Sequence, residues 1–220
     1  MSDPSHGRGR SESLTATVDT DFPGYRTPPA DPVALLASWL EECDAQKVRE
    51  PRALALATAD TRGRSSSRTV TVASVTDAGL VFLTHADSRK GRELAENPWA
   101  SGVLYWRETG RQVTLAGPVQ RMPHAQAQAR WQARPVFTHA MSTASRQSRP
   151  LESLDDVARL RAAARELAAP PRPLPCPDRF AAYQLLPEEV EFWANGTDRL
   201  HERLRYDRDA QGWRSSRLQP

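Results

Sequence analysis

Cysteine is scarce in this chain of 220 residues: Cys43 and Cys176 are the only two, and they lie far apart without a C-x-x-C pairing. This spacing argues against a disulfide framework and against a thiolate zinc site. Long apolar runs are also missing, so neither a signal peptide nor a membrane-spanning helix is expected. We therefore expect a soluble protein of the reducing cytoplasm with no membrane partner.

Several common catalytic signatures are absent as well. The sequence has no G-x-G-x-x-G after a strand, no Walker loop, no G-x-S-x-G elbow and no H-E-x-x-H. The pair His201-Glu202 lacks a second histidine four residues on, so no metal site is expected. The common dinucleotide-binding and hydrolase folds are disfavoured accordingly.

Lysine is nearly missing too, because Lys47 and Lys90 are the only lysines among 30 basic residues, and the formal net charge is +3. The planar guanidinium of arginine suits phosphate, carboxylate and flat aromatic partners. Abundant Ala, Pro and Arg also fit a GC-rich coding sequence, so individual arginines must be selected by position. The near-neutral charge, without an aromatic-basic stripe, argues against a nucleic-acid partner.

The length and a hydrophobic content of 39% predict one compact domain over residues 22–220, preceded by a disordered leader over residues 1–21. Prolines predict an extended arm at residues 22–29, since proline pushes its predecessor out of the helical region. A helix follows, with Asp31 as its N-cap, and ends at about Gln46.

The sequence pattern of the rest of the chain predicts mainly strands, with helices between some of them. Apolar alternation or continuous apolar runs predict strands at residues 53–59, 68–75, 80–84, 100–108, 112–121, 180–186 and 189–193, with a closing hairpin at residues 204–214. Helices are predicted at residues 89–96, 123–134 and 154–167, whereas residues 137–150 show no period. We expect a mainly β fold, an antiparallel β-barrel with flanking helices, because closure removes exposed strand edges.

Two polar constellations stand out. Ser88-Arg89-Lys90-Gly91 lies at a predicted helix start, where free N–H groups and the helix dipole favour an anion such as phosphate. The alternative is a solvated basic turn. Near the C-terminus, Trp193 precedes His201, which Arg199 and Arg203 flank two residues away on either side. The alternative there is a core tryptophan with surface arginines.

Five motifs occur in order along the chain. They are Arg68-Thr-Val-Thr-Val-Ala, Phe82-Leu-Thr-His-Ala-Asp-Ser-Arg-Lys-Gly, Arg111-Gln-Val, Arg146-Gln-Ser, and Trp193 followed by Arg199-Leu-His-Glu-Arg. Together they resemble the pyridoxamine-phosphate-oxidase-like split-barrel flavoproteins, from about Phe22 to the last residues. The resemblance implies an FMN-binding split β-barrel that forms a homodimer, with the flavin in clefts between the two subunits.

The resemblance also implies roles for individual residues. Those implied to bind FMN are Arg68, Val72, Thr84, Arg89, Lys90, Gln112, Gln147, Ser148, Trp193 and Arg203. Among them, Arg68, Arg89 and Lys90 would grip the phosphate, and Gln147 and Ser148 would reach over from the partner subunit. Arg199 and His201 match the catalytic positions that face the substrate.

Departures from the family pattern fall at the substrate-binding positions. Where the family has a lysine for the substrate phosphate, this chain has Ala73, and where it has tyrosine and serine, this chain has Arg130 and Thr138. Arg134 is kept. Because each charge-assisted contact is worth about 1.5–3 kcal/mol, pyridoxal phosphates should bind poorly.

The amino-acid sequences of three segments resemble the phenazine-biosynthesis branch of the family. They begin at Arg52-Ala-Leu-Ala, Trp99-Ala-Ser-Gly and His201-Glu-Arg-Leu. This branch implies an FMN-dependent oxidoreductase that dehydrogenates dihydro-, tetrahydro- or hexahydrophenazine carboxylic acids, passes the electrons to O2 and releases H2O2. The alternatives are a pyridoxine/pyridoxamine 5'-phosphate oxidase of vitamin B6 metabolism and a non-catalytic flavin- or nucleic-acid-binding module.

Overall fold

A computed structural model describes residues 21–197 and 200–220. The helices are α1 (Pro23–Arg26), α2 (Pro32–Ala45), α3 (Arg89–Glu96), α4 (His124–Ala133), α5 (His139–Ala144) and α6 (Leu154–Ala168). A 3-10 turn, Val136–Thr138, joins α4 to α5. The strands are β1 (Ala53–Ala59), β2 (Ser65–Thr76), β3 (Gly79–His85), β4 (Trp99–Trp106), β5 (Arg111–Arg121), β6 (Phe180–Leu185), β7 (Glu189–Ala194), β8 (Glu202–Asp209) and β9 (Gly212–Leu218).

Six strands close into a barrel. They follow the order β4-β1-β2-β3-β6-β5, and β5 pairs back with β4. Strands β7, β8 and β9 continue outward from β5, and we call these three strands, with the part of β5 that pairs with β7, the outward arm. All strand pairings of the described residues are antiparallel. The prediction of an antiparallel, mainly β barrel with flanking helices is therefore confirmed.

Strand β5 belongs to both the barrel and the outward arm. Its first part lies between β4 and β7, whereas residues 119–121 pair with β6. At the change of partner lies Gly117, where an added Cβ would be 2.1 Å from the carbonyl oxygen of Leu186. Only glycine permits this close approach of two backbones.

The barrel interior follows from the alternation of side chains along the strands. On β1, for example, Leu54 and Leu56 are fully buried while Ala55 faces outward. Helix α2 covers the core with Trp39, whose ring lies 5.0 Å from that of Phe192. The Asp31 carboxylate caps α2 by accepting a hydrogen bond from the Val33 amide at 2.8 Å, as predicted.

Three segments differ from the sequence-based expectation. The segment at residues 22–29 contains the short helix α1, because Pro23 suits the first position of a helix and the non-helical residue before it is Phe22. The segment at residues 137–150 contains α5, which has too few residues for a period to emerge. The leader expected at residues 1–21 lies, apart from Asp21, outside the described residues.

Helix α6 begins at a capping box, in which Ser153 and Asp156 exchange hydrogen bonds with each other's backbone. Ala164 is its only buried residue, and Leu154 is 87% exposed. Cys43 and Cys176 are both free thiols. None of the described helices has the length and apolar character that a bilayer span requires.

Candidate functional site

Arg68 anchors the first part of the site. It pairs in register with Leu56, so its side chain takes the core-facing side of β2 near one end of the barrel. One guanidinium nitrogen, Nη1, donates to Thr58 Oγ1 at 2.6 Å, and the other, Nη2, donates to Ser66 Oγ. Burial lowers the pKa of Arg68, and the negative charge of Glu93 partly offsets this by favouring the protonated guanidinium. The guanidinium is thus held firmly in a partly desolvated position.

Glu93, on α3, lies directly beneath this arginine and has a side chain only 7% exposed. Its carboxylate accepts hydrogen bonds from Thr58 Oγ1 at 2.5 Å, from Ser66 Oγ at 2.7 Å and from Arg89 Nε at 2.9 Å. Burial alone raises the pKa of Glu93, but these donors together outweigh it and hold the pKa below its ordinary value. Glu93 is therefore an ionised, nearly buried carboxylate among cations.

Lys90 lies at the start of α3, which the Ser88 hydroxyl caps by accepting a hydrogen bond from the Gly91 amide. Its Nζ donates to Thr84 Oγ1 at 3.0 Å, and the Thr84 hydroxyl donates to Gln147 Oε1 at 2.9 Å. Burial, together with the nearby charge of Arg68, lowers the pKa of Lys90. An anion placed here would relieve both effects.

These side chains line one pocket, formed by Ser66, Ser67, Arg68, Arg89, Lys90, Gln147 and Ser148. Cationic and hydroxyl donors at the start of a helix are the donor set that a phosphate monoester needs. Ser148 adopts a φ of 66°, a left-handed conformation that few non-glycine residues take. The phosphate group of an FMN cofactor fits this pocket.

The expectation that Gln147 and Ser148 reach over from a partner subunit is wrong for this chain. Gln147 accepts hydrogen bonds from the Thr84 hydroxyl and from the His85 amide of its own chain. The segment after α5 folds back over the end of β3 and brings both residues to the phosphate pocket. Gln147 and Ser148 thus line the pocket of their own subunit, together with Arg68, Arg89 and Lys90.

A second pocket of about 360 Å³ adjoins the first and shares Lys90 and Gln147 with it. Its lining includes Arg134, Ala73 and Phe180. The Arg134 guanidinium lies 5.3 Å from the Trp131 ring and 5.4 Å from the Phe180 ring, and it donates to Ser142 Oγ. Burial lowers its pKa. No carboxylate of the described residues forms an ion pair with Arg134, so this pocket suits an anionic, flat ligand.

Three predicted site residues do not turn their side chains to these pockets. Arg130 Nη1 donates to Ser74 Oγ at 3.1 Å, and the Thr138 hydroxyl donates to the Pro135 carbonyl within the 3-10 turn. The side chain of Val72 is 1% exposed and packs in the barrel core, so only its backbone could meet a ligand. Neither Arg130 nor Thr138 lines the Arg134 pocket.

The remaining cofactor-binding candidates form a separate cluster on the outward arm. Gln112 pairs in register with Trp193, and Trp193 pairs with Arg203. Arg203 forms a two-point ion pair with Glu191, at 2.7 and 3.1 Å. We call Gln112, Trp193, His201 and Arg203 the arm cluster.

His201 completes the arm cluster, since its ring lies 4.9 Å from the Trp193 ring. The Gly196 amide donates to His201 Nδ1 at 3.3 Å, which leaves the proton of a neutral imidazole on Nε2. Arg199, the other predicted catalytic residue, lies outside the described residues.

The phosphate pocket and the arm cluster lie far apart along the sheet. Three strand intervals separate β2 from β5, or ~14 Å, and β7 lies one interval further. Neither pocket described above is lined by a member of the arm cluster. A further concavity extends from Ser67 of the phosphate pocket to Glu191, the ion-pair partner of Arg203. Small outward-facing side chains line it between these ends, including Ala55, Ser101, Val103, Thr114 and Ala116.

Sequence reasoning missed the residues that hold the cations in place, namely Thr58, Ser66, Glu93 and Ser142. One signal was available: Glu93 precedes Leu94 on the buried side of α3, where a carboxylate needs a partner. Ser66 likewise shares a strand face with Arg68 two residues later. The contact between the strands and α3 could not be read from spacing alone.

Comparison with protein families matches residues 40–169 to the pyridoxamine 5'-phosphate oxidase family. Residues 180–220 match the pyridoxine 5'-phosphate oxidase C-terminal dimerisation region. That second match contains Trp193, His201 and Arg203 of the arm cluster.

Three individual proteins are similar over most of the chain. The dihydrophenazinedicarboxylate synthase of Pseudomonas chlororaphis is 56% identical over 217 residues, which cover 99% of this chain and 96% of that protein. The crystal structure of PhzG from Burkholderia lata 383 in complex with tetrahydrophenazine-1-carboxylic acid superimposes with a TM-score of 0.89 at 50% identity, covering 93% of this chain and 100% of that chain. The pyridoxine/pyridoxamine 5'-phosphate oxidase of Deinococcus deserti is 38% identical over 192 residues, 87% of this chain and 90% of that protein.

Proposed function

Because this chain belongs to the pyridoxamine 5'-phosphate oxidase family, we propose that it is an FMN-dependent oxidase of partly reduced phenazine carboxylic acids in phenazine biosynthesis. It uses O2 as the electron acceptor, releases H2O2 and works in the cytoplasm. The similarity to a dihydrophenazinedicarboxylate synthase supports the phenazine assignment. The observation that carries the proposal is Arg134, a half-buried cation packed against two aromatic rings in a pocket where Ala73 stands at the family's lysine position.

FMN binding is supported by the phosphate pocket. Arg68, Arg89 and Lys90 would hold the phosphate, with Thr84 and Ser148 beside it. The outer side of β2, from Thr69 to Ala73, borders the adjoining pocket and would support the ring system. A bound flavin supplies the two-electron acceptor for dehydrogenation.

The side chains of this protein would bind and orient the substrate. Arg134 would pair with a substrate carboxylate, which it can do readily because it has no competing acid among the described residues. The fixed Nε2–H of His201 would donate a hydrogen bond to the ring system, and Trp193 would pack against its edge. Since aromatisation itself drives the oxidation, such positioning suffices without a strong general base.

A homodimer would unite the two halves of the site. Within one subunit the arm cluster lies away from both pockets, so the arm of a second subunit would supply the missing wall. The match of residues 180–220 to a dimerisation region supports this arrangement. The concavity of small side chains on β1, β4 and β5 would let the two subunits approach closely.

Vitamin B6 phosphate oxidation is the second candidate. The similarity to the Deinococcus deserti enzyme and the presence of Arg134 favour it. Ala73 disfavours it, because a neutral methyl group cannot replace the family's lysine at the substrate phosphate.

Anaerobic titration tests the proposal. The purified protein should show the absorption of bound FMN, and dihydro- or tetrahydrophenazine carboxylate should bleach it within one equivalent. Admitting air should restore the colour with formation of H2O2. A protein that is bleached by pyridoxine 5'-phosphate but not by reduced phenazines would refute the phenazine assignment, and a protein that binds no flavin would refute both candidates.

A further inference from the structure

We propose that Glu93 is a positioning residue that fixes both the geometry and the net charge of the phosphate pocket. The inference rests on the proposed FMN binding and deepens it. Glu93 does not line the pocket. It acts through the two arginines that do, Arg68 and Arg89, and through the hydroxyl groups between them.

Glu93 determines where both guanidinium groups point. Arg89 donates through Nε to Glu93 Oε1 at 2.9 Å, and Arg68 donates through Nη2 to Glu93 Oε2 at 3.3 Å. One carboxylate therefore holds an arginine from α3 and an arginine from β2 by its two oxygens. Two elements that are remote in sequence are locked together at the mouth of the pocket.

Two hydroxyl groups reinforce this arrangement. The Thr58 and Ser66 hydroxyls donate to Glu93 and accept from Arg68, so each bridges the carboxylate and the guanidinium. Arginine has no acceptor, so each hydroxyl can only accept from Arg68, and its single proton is directed to the Glu93 carboxylate. The carboxylate thus dictates the orientation of the whole network.

Glu93 also sets the charge. Arg68, Arg89 and Lys90 contribute three positive charges, and Glu93 contributes one negative charge. The resulting net charge of two positive units matches a phosphate monoester, which carries about −1.5 to −2 at pH 7. The carboxylate lies behind the arginines, so it balances the repulsion between them without facing the phosphate.

Glu93→Gln separates geometry from charge, because the two effects have opposite signs. Removing the negative charge alone would attract a phosphate more strongly. However, the amide nitrogen of glutamine is a donor, and it would face an arginine N–H that cannot accept. At least one guanidinium must then turn away, and we expect FMN binding to weaken.

The experiment measures the dissociation constants of FMN and riboflavin for the flavin-free full-length protein by fluorescence quenching. Riboflavin lacks the phosphate, so the ratio of the two constants reports the phosphate pocket alone. Glu93→Gln should weaken FMN roughly tenfold and leave riboflavin within about twofold. Glu96→Gln, which makes the same charge change on the exposed side of the same helix, is the matched control and should change neither constant.

Thr58→Val guards against a folding defect in Glu93→Gln, since it removes a bridging hydroxyl that does not line the pocket and leaves the charge unchanged. It should weaken FMN ~3-fold and spare riboflavin. Unchanged or tighter FMN binding in Glu93→Gln, or equal weakening of both flavins in both variants, would overturn the inference while leaving the proposed function intact. A wild-type protein that binds neither flavin would overturn both.

Discussion

Replacing Arg134 with methionine should separate substrate recognition from stability. The guanidinium of Arg134 is half-buried against the adjoining rings of Trp131 and Phe180. Among the side chains that the structure describes, its hydrogen-bond partner is Ser142 Oγ. Methionine has a similar length and can keep the contacts with both rings. It removes only the charge and the hydrogen bonds.

The magnitude follows from these contacts. A charge-assisted pair with a substrate carboxylate is worth about 1.5–3 kcal/mol, so Arg134→Met should lower kcat/KM for reduced phenazine carboxylates about 10- to 150-fold. Stability should not fall, because burial already lowers the pKa of Arg134 and no described carboxylate compensates its charge. We expect the Tm to stay unchanged or to rise.

A matched pair of ligands and a matched variant make the assay specific. Phenazine-1-carboxylate should bind the wild-type holoenzyme more tightly than unsubstituted phenazine, and Arg134→Met should abolish that preference. Arg165→Met, on the exposed side of α6, should change neither kinetics nor binding. If Arg134→Met keeps the preference for the carboxylate, or if both ligands weaken equally, the carboxylate role of Arg134 is refuted.

Three further predictions address other parts of the fold. Burial and the charge of Arg179 lower the pKa of His85, whose ordinary value is 6.5. As the pH drops below about 6.5, His85 is therefore protonated in the unfolded chain before it is protonated in the folded chain, and the free energy of unfolding should fall. His85→Asn should remove that dependence on pH in urea titrations between pH 5 and 7.5, and an unchanged dependence would contradict this. The new methyl group of Gly117→Ala should lengthen the hydrogen bonds from Leu186 N to Pro118 O and from Glu188 N to Ala116 O, both 2.9 Å. This should cost about 1–3 kcal/mol of stability and lower the Tm by several degrees in calorimetry. An unchanged Tm would refute the clash. Ala73→Lys should lower the KM for pyridoxine 5'-phosphate at least about tenfold in oxygen-uptake assays, and no change would show that Ala73 does not lie at the substrate phosphate.

Much of the barrel could be predicted from the sequence, because alternation marks strands wherever one face is buried. Residues 53–59 were predicted as a strand with the same bounds that the structure gives β1. The phosphate pocket was partly predictable for a similar local reason, since Ser88, Arg89 and Lys90 follow one another at a helix start. Short helices such as α5 escape this reasoning because they complete fewer than two turns.

Long-range contacts could not be predicted. Thr58, Ser66 and Glu93 meet only because the β1–β2 register places two hydroxyls above α3, and no spacing in the sequence encodes that register. The assignment of Gln147 to a partner subunit failed for a related reason. A motif identifies which residues share a site, but it carries no information on which copy of the chain supplies each one.

The distance between the phosphate pocket and the arm cluster has a thermodynamic consequence. If one cofactor must touch both, cofactor loading and subunit association are linked equilibria, and each strengthens the other by the same factor. Dilution would then release flavin, and flavin shortage would favour separated subunits. The protein would thus couple its assembly to the supply of its cofactor.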